Sequence, residues 1–171
     1  MNMVYNRNKE IKILIKMSLL ISHRGNTNGI NSSKENSIEY IKETLNKGYF
    51  VLVDVFLVGE KQFALGCEAP QYPVSVDFLK NNNIIARAKS VECLDALATN
   101  QIHSLYHQCD ICSLTTGGLI WVKPGGNITQ RCIFSMPEWI LEDITSIKDI
   151  ECAGICSDKI EIIKKARETI T

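Results

Sequence analysis

The chain has 171 residues, 45% of them apolar, and its 19 basic and 19 acidic side chains balance to a formal charge of zero. That is ample apolar content for one core in one domain, and the balance leaves no basic footprint for nucleic acid or an anionic membrane surface. No apolar run approaches the length of a membrane span, so no transmembrane segment is expected. Seven cysteines, an odd number scattered among apolar neighbours, read as reduced thiols of a cytoplasmic protein rather than a disulfide framework.

Residues 1–16 begin polar and Asn-rich, then alternate Ile11, Ile13 and Ile15 with Lys12, Leu14 and Lys16. They read as an N-terminal extension, either disordered or adding an edge strand. Lys12 and Lys16, with no small-residue cleavage site after them, argue against a signal peptide. Residues 17–171 are expected to form the domain. Residues 18–22 form a short apolar run of the kind buried on both faces of a sheet, and it ends abruptly in His23-Arg24-Gly25. A polar loop, 26–34, leads to Glu35-Asn36-Ser37 and an amphipathic helix over 38–46, with Ile38, Ile41 and Leu45 at helical spacing.

Residues 49–57 are a near-continuous apolar strand interrupted by Asp54, a carboxylate that is costly there unless it is paired or binds a cation. A short return strand, 61–65, ends at Gly66-Cys67-Glu68, and Pro70 and Pro73 punctuate a loop before a helical turn at 76–79. Further strands are expected over 84–89, 102–107, 119–122, 132–136 and 152–156, with helices over 91–99, 139–147 and 159–169. That alternation is the rhythm of a parallel α/β fold. A full β/α barrel usually needs about 200 residues or more, so the expected architecture is a compact (β/α)8 TIM-type barrel, incomplete or open at one place.

Strand-His23-Arg24-Gly25, Glu35-Asn36-Ser37 at a helix start, and Gly48 before a strand carrying Asp54-Val55 together resemble the glycerophosphodiester phosphodiesterase family, of the phospholipase-C-like phosphodiesterases. The resemblance runs in order over about residues 18–160 and is closest to short members. It implies a β/α barrel, a role in lipid metabolism, two histidines as general acid and base, and carboxylates holding a divalent metal, Mg or Ca, if the protein is active. Its substrate would be a phosphodiester or another phosphate-containing small molecule. His23 is then the catalytic acid or base, and Arg24 the forked donor to a phosphate oxygen. The plainer reading of His23 is a strand-end histidine held by backbone bonds.

Glu35 and Asn36 match the family's Glu-Asn pair. Glu35 could reach the metal or hold Arg24, or the two could simply cap the helix. Asp54 matches the second carboxylate of the family's Glu-x-Asp metal pair, but Leu52 stands at the first. The family's later strand glutamate, two residues before a lysine, falls on Arg87 before Lys89. The second catalytic histidine falls on Cys67, a poor substitute for imidazole near neutral pH, and Glu68 would serve as an acid only if burial raised its pKa.

These losses in one constellation argue for a degenerate site with activity weak or lost, a pseudoenzyme. Arg24, Arg87, Lys89, His23 and His107 would instead make the mouth basic enough for a phosphate or other anion, with Lys89 and His107 as substrate-binding candidates. Arg87 reads either as a stand-in for the metal's charge against Asp54 or as a salt bridge that preserves the fold. The alternatives are therefore a non-catalytic module binding a phosphate-containing ligand or a protein partner at the barrel mouth, or a domain kept only as a fold within an assembly. Cys109-Asp110-Ile111-Cys112 with His103 and His107 has zinc-like residue types, but strand spacing between the two histidines makes joint ligation hard. Trp121 is read as core rather than a ligand wall.

Overall fold

Strand β1 (Leu19–His23) lies at the centre of a single sheet. The computed structural model describes residues 18–59 and 61–169, so the expected N-terminal extension, 1–16, falls outside the described residues. Beyond β1 come α1 (Ile38–Asn46), β2 (Phe50–Val58), β3 (Gln62–Leu65), β4 (Tyr72–Val74), α2 (Val76–Leu79), β5 (Ile84–Ala88), α3 (Val91–Thr99) and β6 (Ser104–Leu105). The rest comprises β7 (Cys112–Leu114), β8 (Ile120–Val122), β9 (Cys132–Ser135), two 3-10 segments (Pro137–Trp139 and Ile144–Asp149), β10 (Gly154–Ser157) and α4 (Ile160–Glu168).

All ten strands among the described residues join one mixed sheet. The neighbours β6, β5, β2, β1, β10, β9 and β8 run parallel in that order. The hairpin partners β3, β4 and β7 are antiparallel. β2 is the hub. Its first half pairs with β1 and β5, and its far end turns back against β3.

Alternation along these strands divides the apolar residues between two faces. On one face Ile21, Leu52, Ile85, Leu105, Trp121, Ile133 and Cys156 form a single cluster, one residue from each parallel strand. On the other, Val51, Val53, Val55, Ile84 and Ala86 pack beneath Ile41 of α1, Leu79 of α2, and Cys93 and Leu97 of α3. Phe134 and Ile155 pack beneath Ile160 and Ile163 of α4. Helices α2 and α3 start on serine caps: Ser75 Oγ accepts from the Phe78 amide at 3.2 Å, and Ser90 Oγ from the Cys93 amide at 3.1 Å.

Most expected elements form within a residue or two of their expected bounds. The helix expected over 139–147 does not. Met136 takes a left-handed backbone (φ 53), Pro137 follows, and the Asp143 carboxylate accepts from the Thr145 amide at 2.9 Å, so the segment breaks into two 3-10 pieces. The loop around Pro73 contains β4, and β7 is a further strand that periodicity alone does not announce. The strand expected over 102–107 is only Ser104–Leu105. Trp121 is core, 1% exposed.

Candidate functional site

The apolar face-cluster is followed, two residues further along several strands, by a polar side chain. Ile21 gives way to His23, Leu52 to Asp54, Ile85 to Arg87, Leu105 to His107, and Cys156 to Asp158. A period of two keeps each successor on the face of its predecessor. The polar residues therefore gather at the C-terminal ends of the parallel strands, above an apolar floor. Two left-handed residues shape this rim, Arg24 (φ 58) and Asn36 (φ 60), joined by the Asn36 amide donating to the Arg24 carbonyl at 3.1 Å. Such backbone costs about 1 kcal/mol or more at a non-glycine residue and persists only where the surroundings enforce it.

Asp54 is completely buried. Its Oδ2 accepts from Arg24 Nε at 2.8 Å, its Oδ1 accepts from Arg87 Nε, and its backbone amide donates to Asn36 Oδ1 at 2.9 Å. Burial alone would raise its pKa, but the Arg87 and Arg24 guanidiniums, with Lys89, outweigh that and hold it below the ordinary carboxylate value. Arg24 Nη1 also donates to Glu35 Oε2 at 3.0 Å. Glu35 thus takes the Arg24-holding role of the readings weighed for it. Neither Glu35 nor Asn36 caps the helix, whose N-cap position is Ser37, without a side-chain bond.

A second cluster adjoins the first. His23 Nδ1 lies 3.0 Å from Asp158 Oδ1, a contact between residues 135 positions apart. The Asn26 amide nitrogen donates to both Asp158 Oδ1 and Glu35 Oε1, at 2.7 Å each. Its orientation is fixed by Asn26 Oδ1, which accepts from the Asn31 amide at 3.0 Å. Asp158 is in turn located by Glu138, whose Oε1 accepts from the Asp158 amide and the Ser157 hydroxyl, both at 2.8 Å. Burial raises the Asp158 pKa, and the stronger opposing pull of His23 and Asn26 leaves it below the ordinary value. With Asp158 ionised, Nδ1 carries the imidazole proton and Nε2 is the ring nitrogen left outside this bond.

Asn26 was not among the expected site residues, and Asp158 was expected only as one of several strand-end residues that would ring a barrel mouth, with no role given to it. Asp158 sits at the end of the last strand, where a mouth residue belongs, but only tertiary contact links it to His23. Cys67 does enter the site: its thiol donates to Glu35 Oε2 at 3.3 Å and accepts from Asn36 Nδ2 at 3.4 Å. Burial pushes the thiol up in pKa against the pull of Arg24, which disfavours the thiolate. Glu68 is exposed, so the burial that an acid role would require of it is absent. Lys89 Nζ donates to the Cys67 carbonyl at 2.8 Å, and His107 lies beside Arg87 and Lys89 along one cavity. Cys109 and Cys112 are exposed, and His103 packs against Gly117 instead.

The expected metal ligands were Asp54 and Glu35. A divalent cation of the Mg or Ca kind needs several free oxygen ligands. Both oxygens of Asp54 are taken by guanidiniums, Leu52 belongs to the apolar floor, and Arg87 puts a positive charge beside the carboxylate. That arrangement does not fit a metal at Asp54. The described residues hold one group with ion-compatible spacing, His23, Glu35 and Asp158, whose ligand atoms lie within 4.8 Å of one another. The Asn26 amide already bridges its two carboxylates. All seven cysteines are free thiols, and no helix among the described residues is long and apolar enough to cross a membrane. In comparisons with known proteins, no protein-family model, curated protein or solved structure matches this chain.

Proposed function

We propose that this is a glycerophosphodiester phosphodiesterase-like protein with a degenerate active site, its sheet forming a compressed β/α barrel. The barrel reading is supported by the cluster that draws one residue from each of the parallel strands, since the inside of a closed sheet is filled that way. The Thr116 amide, in the turn before β8, also donates to the Ser104 carbonyl of β6 at 2.8 Å, linking the two ends of the parallel series.

The observation that carries the functional reading is the Arg87 guanidinium on Asp54. Diester hydrolysis of the family's kind needs a Lewis acid on the phosphoryl oxygen, a base for the nucleophile and an acid for the leaving oxygen. His23, positioned by Asp158, is fitted for one proton transfer. Cys67 occupies the place of the other histidine as a thiol whose pKa is raised, and the metal's carboxylates are absent or engaged. One of the three roles survives. The test is hydrolysis of a glycerophosphodiester with Mg or Ca and with EDTA. No turnover above that of His23→Ala is expected. Metal-dependent turnover lost in His23→Ala would overturn the reading.

The alternative of a non-catalytic module is favoured by the cavity beside Arg87, lined by cationic and polar side chains and by no carboxylate. A phosphate-containing small molecule in a cytoplasmic protein is the partner that chemistry suits.

A further inference from the structure

The cavity in question has a volume of about 330 Å³ and is walled by Arg87, Lys89, Tyr106, His107 and Gln108. It opens where β5 and β6 end, beside Asp54 rather than over it. Arg87 commits its Nε to Asp54, and among the described residues its two terminal nitrogens take no partner. Lys89 Nζ donates to the Cys67 carbonyl and lies 5.5 Å from the centroid of the Phe56 ring, close enough to Asp54 to lower its pKa but not in an ion pair with it. Lys123, which donates to the Gln108 carbonyl at 2.7 Å, adds positive potential at the same wall. His107 Nδ1 is buried and has no hydrogen-bond partner.

We infer that Arg87 is the resident cation of this mouth and that Arg87, Lys89 and His107 bind a phosphate monoester group directly, without a metal ion. The inference rests on the reading of the metal site as lost. The two terminal nitrogens of Arg87 present the planar fork that suits two phosphate oxygens, while Asp54 holds that fork in place through Nε. Lys89 supplies a point charge with further donors free. His107 adds its imidazole ring to the same wall. A cavity of this size has room for a phosphate carrying a small polyol.

The experiment is calorimetric titration of the full chain in EDTA and moderate salt with inorganic phosphate and with glycerol 3-phosphate, with acetate at matched ionic strength as control. Saturable binding of the phosphate compounds is expected, with none for acetate. Arg87→Gln, Lys89→Ala and His107→Ala should each weaken it, the first two by about tenfold or more. If Arg87→Gln fails to fold, Lys89→Ala and His107→Ala, neither of which breaks a carboxylate pair, decide by the same criterion. No saturable phosphate binding in EDTA, binding that needs added Mg, or binding that the variants leave unchanged would overturn the inference. Metal-dependent diester turnover would instead overturn the reading of a degenerate site, whatever the titration gives.

Discussion

Asp54 and Arg87 stand opposite each other in the register of β2 and β5, and the Arg87 Nε donates to the Asp54 carboxylate. The pair is asymmetric in burial, with the Asp54 side chain 0% and the Arg87 side chain 18% exposed. Removing the guanidinium strands a carboxylate that solvent cannot reach. Arg87→Met is therefore expected to cost about 3–5 kcal/mol, the range for breaking a buried pair from one side, with Arg24 moderating the loss. Asp54→Asn leaves a cation that can turn towards water and costs less. The double variant should fall well short of the sum, by about 1–3 kcal/mol in urea unfolding. Additive losses would mean that the pair is not coupled and that Arg24 alone balances Asp54.

If Arg87 stands where a metal ligand belongs, a carboxylate there should restore demand for a cation. Arg87→Glu puts two acidic side chains side by side in the sheet. In EDTA it should melt well below the native chain through like-charge repulsion and desolvation. Millimolar Ca or Mg should recover much of that loss, because binding to the folded state alone raises its stability. The native chain, whose Asp54 oxygens are both engaged, should show no such shift. Thermal unfolding of both chains with and without metal checks this. A native chain stabilised as strongly as the variant would point to an ion at His23, Glu35 and Asp158.

How much of this site could be read beforehand depends on sequence distance. His23, Arg24 and Glu35 lie within one strand–loop–helix unit, so a local pattern of residue types places them. Asp54 is betrayed by its own strangeness in an apolar strand. Asp158 meets His23 across 135 positions, and its place at the end of the last strand marks it as a rim residue without naming its partner. Asn26 sits in a polar loop where an asparagine is ordinary, yet it is fully buried between two carboxylates. In the fold, β4 was hidden by Pro73, which is tolerated because β4 is an edge strand and pairs only with β3. β7 is a three-residue hairpin arm with an exposed Leu114, too short and too mixed to show a period. The apolar run at 139–147 has a helical composition, but backbone strain at Met136 and the Asp143 cap decide the outcome locally.

His107 gives the protein an acid-sensitive window. Burial, Lys123 and Arg87 press its pKa from 6.5 to about 4. Between those values the unfolded chain binds more protons than the folded one, so stability rises with pH across the window and is lost as the solution is acidified from about 6.5 towards 4. The shift corresponds to a few kcal/mol at most, and less for a ring still in contact with solvent. His103, shifted the same way by burial, adds to the slope. Urea unfolding at a series of pH values should show a shallower slope in His107→Asn. An unchanged slope would assign the acid sensitivity to His103.

The glycine of His23-Arg24-Gly25 is required twice over. Its φ of +96° disfavours any side chain, and a Cβ there would lie 2.6 Å from Cδ1 of the Tyr40 ring on α1. The same junction is tied by Thr44 Oγ1 donating to the Gly25 carbonyl at 2.8 Å, so the helix cannot simply retreat. Gly29 offers the control, since its φ is also positive, +127°, but nothing lies within 4 Å of its would-be Cβ. Gly29→Ala should cost about 1–2 kcal/mol from backbone strain alone. Gly25→Ala should cost about 1–3 kcal/mol more, the typical cost of overpacking. Tyr40→Leu in the Gly25→Ala background should recover part of that excess while leaving the backbone cost. Equal losses for the two glycines, read by urea unfolding, would mean that the Tyr40 ring moves aside freely and that the helix does not brace the Arg24 turn.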